Sequence, residues 1–125
     1  MPLEWKDTYR VGHADIDAQH QELLRRVVKL IAACTLESRV DCANSLNDHT
    51  REHFMHEESL MRSLHFPGIE NHIDDHKNLL SKLELIASQI AEETLEHGEL
   101  EVFITDWMLT HMVTFDAQLS VYMTS

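Results

Sequence analysis

Glycine and proline are nearly missing, three and two of 125 residues. An all-β fold needs repeated tight turns, and too few turn formers are present for one, so long helices joined by a few loops are expected. Basic residues are scarce as well. Ten Lys and Arg against 22 Asp and Glu leave a net charge of −12, which argues against nucleic acid or an anionic membrane as a partner, since both demand a basic face. No apolar run approaches the ~20 residues that span a bilayer. The opening MPLEWKDTYRVGHADID has no cationic segment followed by an apolar stretch and a small-residue cleavage site, so a cytoplasmic location is expected. Cysteine is limited to Cys34 and Cys42. In that compartment free thiols are expected rather than a disulfide.

What remains is a chain that is 43% hydrophobic and long enough for one domain, residues 1–125, with one core. The few breakers divide it. Pro2 and Gly12 lie in an N-terminal arm of about residues 1–16, Pro67-Gly68 mark one turn and Gly98 another. A further turn between Thr35 and Asp41 is inferred from lost apolar periodicity and the polar Glu37-Ser38-Arg39. Apolar spacing at i, i+3 and i+4 predicts four helices: Ile16 to Cys34, Cys42 to Leu64, Ile69 to Glu93 and Glu99 to Tyr122. Each would be roughly 30 Å long. Short loops then imply an all-α, up-down-up-down four-helix bundle.

The inward stripes are not purely apolar. The first runs His20, Leu24, Val27, Val28, Ile31; the second Leu46, His49, His53, Glu57, Leu60, Leu64. The third begins His72, His76, Leu79, Leu80, and the fourth includes Trp107, His111, Phe115 and Leu119, with Asp116 one turn beyond His111. A lone histidine on an apolar face is ordinarily a core histidine with one hydrogen-bond partner. His20, His53, His72, His76 and His111 on four facing helices, beside two inward carboxylates, are poorly explained that way. Burying carboxylates without compensation costs several kcal/mol each, and a metal ion removes that cost by turning lone pairs into coordinate bonds.

The spacing is more specific than the count. His53 and Glu57 form HxxxE and His72 and His76 form HxxxH, so each pair stacks on one helix face. His111 and Asp116 form HxxxxD, five apart, which fans the side chains by about 140° at 3.6 residues per turn and suits an Asp reaching past its histidine to bridge two ions. His20 adds a donor from the first helix. One piece per helix, in this order, points to a two-metal site.

With these residues the chain resembles the hemerythrin family. The likeness is carried by DAQHQELL around His20, HFMHEESLM around His53 and Glu57, FPGIENHIDDH ending at His76, and DWMLTHMVTFD from Asp106 to Asp116. The N-terminal EWKDTYRVGHADID looks like the arm of single-domain bacterial hemerythrins. Myohemerythrin is itself a type example of the up-down-up-down bundle, so the resemblance and the architecture are one expectation and not two. The resemblance implies a non-haem di-iron centre. One iron would take His72, His76 and His111 and the other His20 and His53, with Glu57, Asp116 and an oxo or hydroxo oxygen from water bridging the two. Six donors then serve one iron and five the other, which leaves one open position for dioxygen.

The implied activity is reversible dioxygen binding, for carriage or storage, without catalysis. A histidine-rich shell disfavours high-valent oxidants, and the flanking Phe54, Met108, Met112, Val113 and Phe115 offer no general acid. The competing readings are an oxygen or redox sensor acting through a partner in trans, a di-iron enzyme handling peroxide or nitric oxide, and a zinc-binding bundle. Zinc prefers closed four-coordinate sites and would leave several of seven ligands idle. Five other histidines stay outside the ligand set. His13 is expected to be locally bonded, His49 is a candidate for orienting a ligand carboxylate, His56 is expected at the surface with Glu58, and His65 and His97 fall at helix ends.

Overall fold

The computed structural model describes residues 5–95 and 98–124, and side chains for all of these except Thr8, Met108, Leu109, Val113 and Thr124. Pro2 and His97 lie outside the described residues. A short 3₁₀ turn, Asp7–Tyr9, precedes α1 (Ala14–Ala32), α2 (Leu36–Ser63) and α3 (Ile69–Ala91). The fourth rod is built from α4 (Glu99–Thr105), a π-helical segment (Asp106–Asp116) and α5 (Ala117–Thr124). α1 packs on α2, α2 on α3 and α3 on the fourth rod. The result is an all-α four-helix bundle, with no strand among the described residues. Among them, too, no helix is long and apolar enough to cross a membrane, and Cys34 and Cys42 are free thiols.

Local chemistry sets the helix ends, and in two places it differs from the expected breakers. The turn between α1 and α2 is only Ala33–Thr35, because Thr35 caps α2: its side-chain oxygen accepts from the Ser38 N–H at 3.1 Å. Glu37-Ser38-Arg39 is therefore the polar first turn of a helix and not a loop. At the far end of α2, His65 takes a left-handed φ of 53°, with its N–H donating to Arg62 O and the Phe66 N–H to Met61 O. Glu93 does the same after α3, with φ 59° and paired bonds to Ile90 O and, from Thr94, to Gln89 O. Both are Schellman closures, a role that glycine usually takes.

Two apolar clusters fill the bundle. The larger gathers residues such as Leu23, Leu46, Leu83, Phe103 and Trp107; the smaller gathers Ile16, Met61, Phe66 and Leu119. The face of α1 is rotated from the expected stripe: Ile16, Leu23 and Leu30 are buried, whereas Val28 and Ile31 are 41% and 51% exposed. α2 likewise buries Ala43, Thr50 and Met61, while His49, Leu60 and Leu64 are only half-buried. The N-terminal arm is tied down by Asp17, whose carboxylate accepts from the N–H groups of Val11 at 2.8 Å and Gly12 at 3.2 Å. Ser120 Oγ–H donates to Val11 O from the fourth rod. Trp5 and Tyr9 then pack on the larger cluster and Val11 on the smaller, so the arm runs along the bundle from one to the other.

Candidate metal centre

Each rod delivers its polar residues at the level between the two clusters. On α1, His20 lies between Ile16 and Leu23; on α2, His53 and Glu57 lie between Leu46 and Met61. His72 and His76 lie between Phe66 and Leu79, and His111 and Asp116 between Trp107 and Leu119. All seven side chains expected from the sequence meet there, every one at most 3% exposed. They form two groups of donors, each within 4.8 Å: Glu57, His72, His76, His111 and Asp116 in one, and His20, His53, Glu57 and Asp116 in the other.

Glu57 and Asp116 belong to both groups, and each splits its two oxygens between them. Glu57 Oε1 lies 2.6 Å from His72 Nε2 and 3.2 Å from His76 Nε2, whereas Oε2 lies 3.1 Å from His53 Nε2. Asp116 Oδ1 lies 3.0 Å from His72 Nε2 and 3.1 Å from His111 Nε2, whereas Oδ2 lies 2.9 Å from His20 Nε2. The HxxxxD spacing works differently from the α-helical fan expected. Residues Asp106–Asp116 are wound as a π-helix, in which the Ala117 N–H reaches back five residues to Met112 O. The wider turn brings positions five apart toward one face, so Asp116 follows His111 into the centre.

The far ring nitrogens fix the protonation pattern. His53 Nδ1–H donates to Gln19 Oε1 at 2.5 Å, His76 Nδ1–H to Glu58 Oε2 at 2.8 Å, and His111 Nδ1–H to Asp75 Oδ2 at 2.5 Å. A neutral imidazole with hydrogen on Nδ1 presents a bare lone pair at Nε2. His76 Nε2 and His111 Nε2 are 3.2 Å apart, so with both rings neutral two lone pairs face each other. Nor does any hydrogen-bond partner among the described residues satisfy Nε2 of His20, His53 or His72, or either oxygen of Glu57 and Asp116. Buried orphans of this number are rare in a native interior. Metal cations held between them would satisfy these atoms, and a set of imidazole and carboxylate donors suits such a site.

The electrostatics agree. Burial pushes the Glu57 carboxyl up, but polar contact with His111, His53, His72 and His76 more than offsets this and holds it well below the usual carboxylate range. Asp116 is opposed by burial and then by Glu57, yet His111 and His20 hold it below the usual carboxylate range as well. His111 and His72 are raised despite their burial, chiefly by Asp116, whereas burial lowers His53. Two carboxylates held ionised in a dry interior draw positive charge between them, as protons or as metal.

A model of the hemerythrin HHE cation binding domain matches residues 11–119. The chain belongs to the hemerythrin family. It is 29% identical to the myohemerythrin of Riftia pachyptila, over 92% of this chain and 88% of that one. It is 25% identical to myohemerythrin-1 of Phascolopsis gouldii, over 92% and 89%, and 23% identical to the hemerythrin of Themiste dyscrita, over 92% and 88%. No solved structure matches it.

Around this hemerythrin centre the surroundings are partly as expected. Phe54 stacks on His76 with centroids 3.8 Å apart, Phe115 stacks on His111, and Met112 is buried. The side chains of Met108 and Val113 lie outside the described residues. Trp107 sets its ring edge-on to His20 at 5.9 Å. His13 is locally bonded, its Nδ1 capping α1 by accepting from the Ile16 N–H, and His56 is exposed. One candidate role is not taken up and one expectation fails. His49 does not orient a ligand: half-buried, it feels the charges of Arg26, Glu22 and Glu52 on the outer face. Glu58, expected at the surface, turns inward to His76 because the partner it serves is on the neighbouring helix. Gln19 and Asp75 were not singled out in the sequence at all.

Proposed function

We propose that this protein binds dioxygen reversibly at a di-iron centre held by His20, His53, Glu57, His72, His76, His111 and Asp116. The observation that carries the reading is the sharing of Glu57 and Asp116, one oxygen each, between a three-histidine group and a two-histidine group. Two iron ions, when bound there, supply the two-electron redox chemistry that reversible dioxygen binding requires. His72, His76 and His111 with both carboxylates give one ion five protein donors; His20 and His53 with the same carboxylates give the other four. The two-histidine half is thus where a small ligand has room. The buried Phe54, Trp107 and Met112 bring no proton donor to the centre beyond the indole N–H, which favours release of the ligand unchanged over its consumption. A cytoplasmic location belongs to the same proposal.

The test is an optical spectrum of anaerobically reduced protein before and after air is admitted, with iron counted per chain. The expected outcome is two irons and a charge-transfer band that appears with oxygen and leaves on deoxygenation. Immediate irreversible conversion to the oxidised form would redirect the assignment to a sensor or an enzyme, and absence of iron after reconstitution would sink it.

A further inference from the structure

The three residues that brace the ligand histidines form a directed series around the bundle. Gln19 neighbours His20 in sequence but braces His53 on the next helix; Glu58 neighbours Glu57 but braces His76; Asp75 neighbours His76 but braces His111. The series does not close. Nδ1 of His20, like that of His72, meets no hydrogen-bond partner among the described residues, and the His20 ring lies nearly perpendicular to that of Trp107 on the fourth rod, with centroids 5.9 Å apart.

The braces also differ in charge from one half of the centre to the other. In the three-histidine group, two rings donate to carboxylates whose side chains are only 19% and 24% exposed, Glu58 and Asp75. Among the described residues, the second oxygen of Glu58 has only the exposed Arg62 guanidinium, 3.8 Å away. In the two-histidine group the one brace is the neutral amide of Gln19. A carboxylate acceptor at Nδ1 makes the opposite nitrogen a stronger metal donor, and a charged acceptor bonds about twice as strongly as a neutral one.

Building on the two-metal reading, we propose that Asp75 and Glu58 are positioning residues that make the three-histidine half the tighter metal site and the first to fill, while Gln19 keeps the two-histidine half the looser. Negative charge beside His76 and His111 strengthens binding of the ion they share with His72. Among the described residues, no carboxylate bonds to Nδ1 of His20 or His53.

The experiment is a stepwise titration of the metal-free full chain with cobalt(II), followed by calorimetry and by the visible absorption of the bound ion. Wild type should take two ions in two resolved steps. Asp75→Asn and Glu58→Gln should each weaken the first step about tenfold, the lower end of what such partners contribute, and leave the second unchanged. Gln19→Glu should tighten the second step and leave the first unchanged, a gain that damaged folding cannot produce. Should the two carboxylate variants fail to fold, Gln19→Glu decides alone, and an unchanged second step there overturns the proposal. Equal changes in both steps, or a single merged step in wild type, would also overturn it. So would wild-type binding by Asp75→Asn beside a tenfold loss in Asp75→Ala, since orientation without charge would then suffice. A wild type that takes up no pair of ions overturns the two-metal reading as well; one that takes up two with constants indifferent to these variants overturns this inference alone.

Discussion

His111 and His65 carry the same side chain under opposite demands. His111 is fully buried with Nε2 aimed at Asp116, whereas His65 closes the end of α2 on the outside. His111→Ala should therefore take one donor from the three-histidine half and lower iron well below two per chain, and His65→Ala should leave iron content and spectrum unchanged. Equal iron in the two variants, counted after the same reconstitution, contradicts the ligand assignment. At this scale the sequence was informative about one kind of residue and nearly silent about another. The seven central donors break the apolar stripe of their own helix, and a break in periodicity is visible along one strand of text. Gln19, Glu58 and Asp75 sit one residue away from a donor, so they point about 100° off their helix's inward face. They become meaningful only once the adjacent helix is in place. His49 shows the converse: it lies on the expected stripe, but the face of α2 is rotated toward Ala43, Thr50 and Met61, which leaves His49 outside.

At the scale of the element, the scarcity of glycine favoured helices correctly, and their C-terminal ends fall within two residues of the expected ones, whereas α2 starts six residues earlier than expected, at Leu36. Two helix ends that glycine would normally close are closed by His65 and Glu93 in left-handed conformation. That conformation costs an L-residue roughly 1–2 kcal/mol, and glycine's extra freedom in the unfolded chain returns about 0.5–1 kcal/mol of this. His65→Gly and Glu93→Gly should each stabilise the metal-free protein by up to about 1 kcal/mol, read as a higher denaturant midpoint with unchanged slope; a loss of stability would mean these side chains do more than end a helix. The arm gives a second prediction. Asp17→Asn should weaken the bonds from Val11 and Gly12, cost about 1.5–3 kcal/mol, and expose the arm to a protease faster than wild type while the bundle stays intact. Neither feature could be read from spacing. Asp17 reads as one more acidic residue in a first helical turn, and the π-winding of Asp106–Asp116 leaves no signature that composition or α-periodicity records.

For the whole molecule, the decisive feature is a polar layer clamped between two apolar clusters. The clusters were legible, because Leu83, Ile90, Phe103 and Leu119 recur at helical spacing and are each at most 2% exposed; Leu83→Ala should cost about 2–5 kcal/mol. The layer between them stabilises the fold only when its lone pairs are satisfied, so metal binding and folding should be coupled. Occupancy at a hundred times the dissociation constant contributes about 2.7 kcal/mol, which for a chain of this length corresponds to a melting shift of roughly 10 °C. Chelation should lower the midpoint by about that amount. The size of the drop should itself depend on pH. The histidine donors must be neutral to bind metal, and in the metal-free centre, despite burial, Asp116 and Glu57 raise His111 and His72 above the ordinary histidine range, so the gap between loaded and metal-free protein should be small in acid and keep widening as the pH rises past that range, about 6.5. Melting both forms across that range checks it. A gap that stays constant with pH would mean that histidine nitrogen does not hold the metal, and that the polar layer is satisfied by some other arrangement of protons.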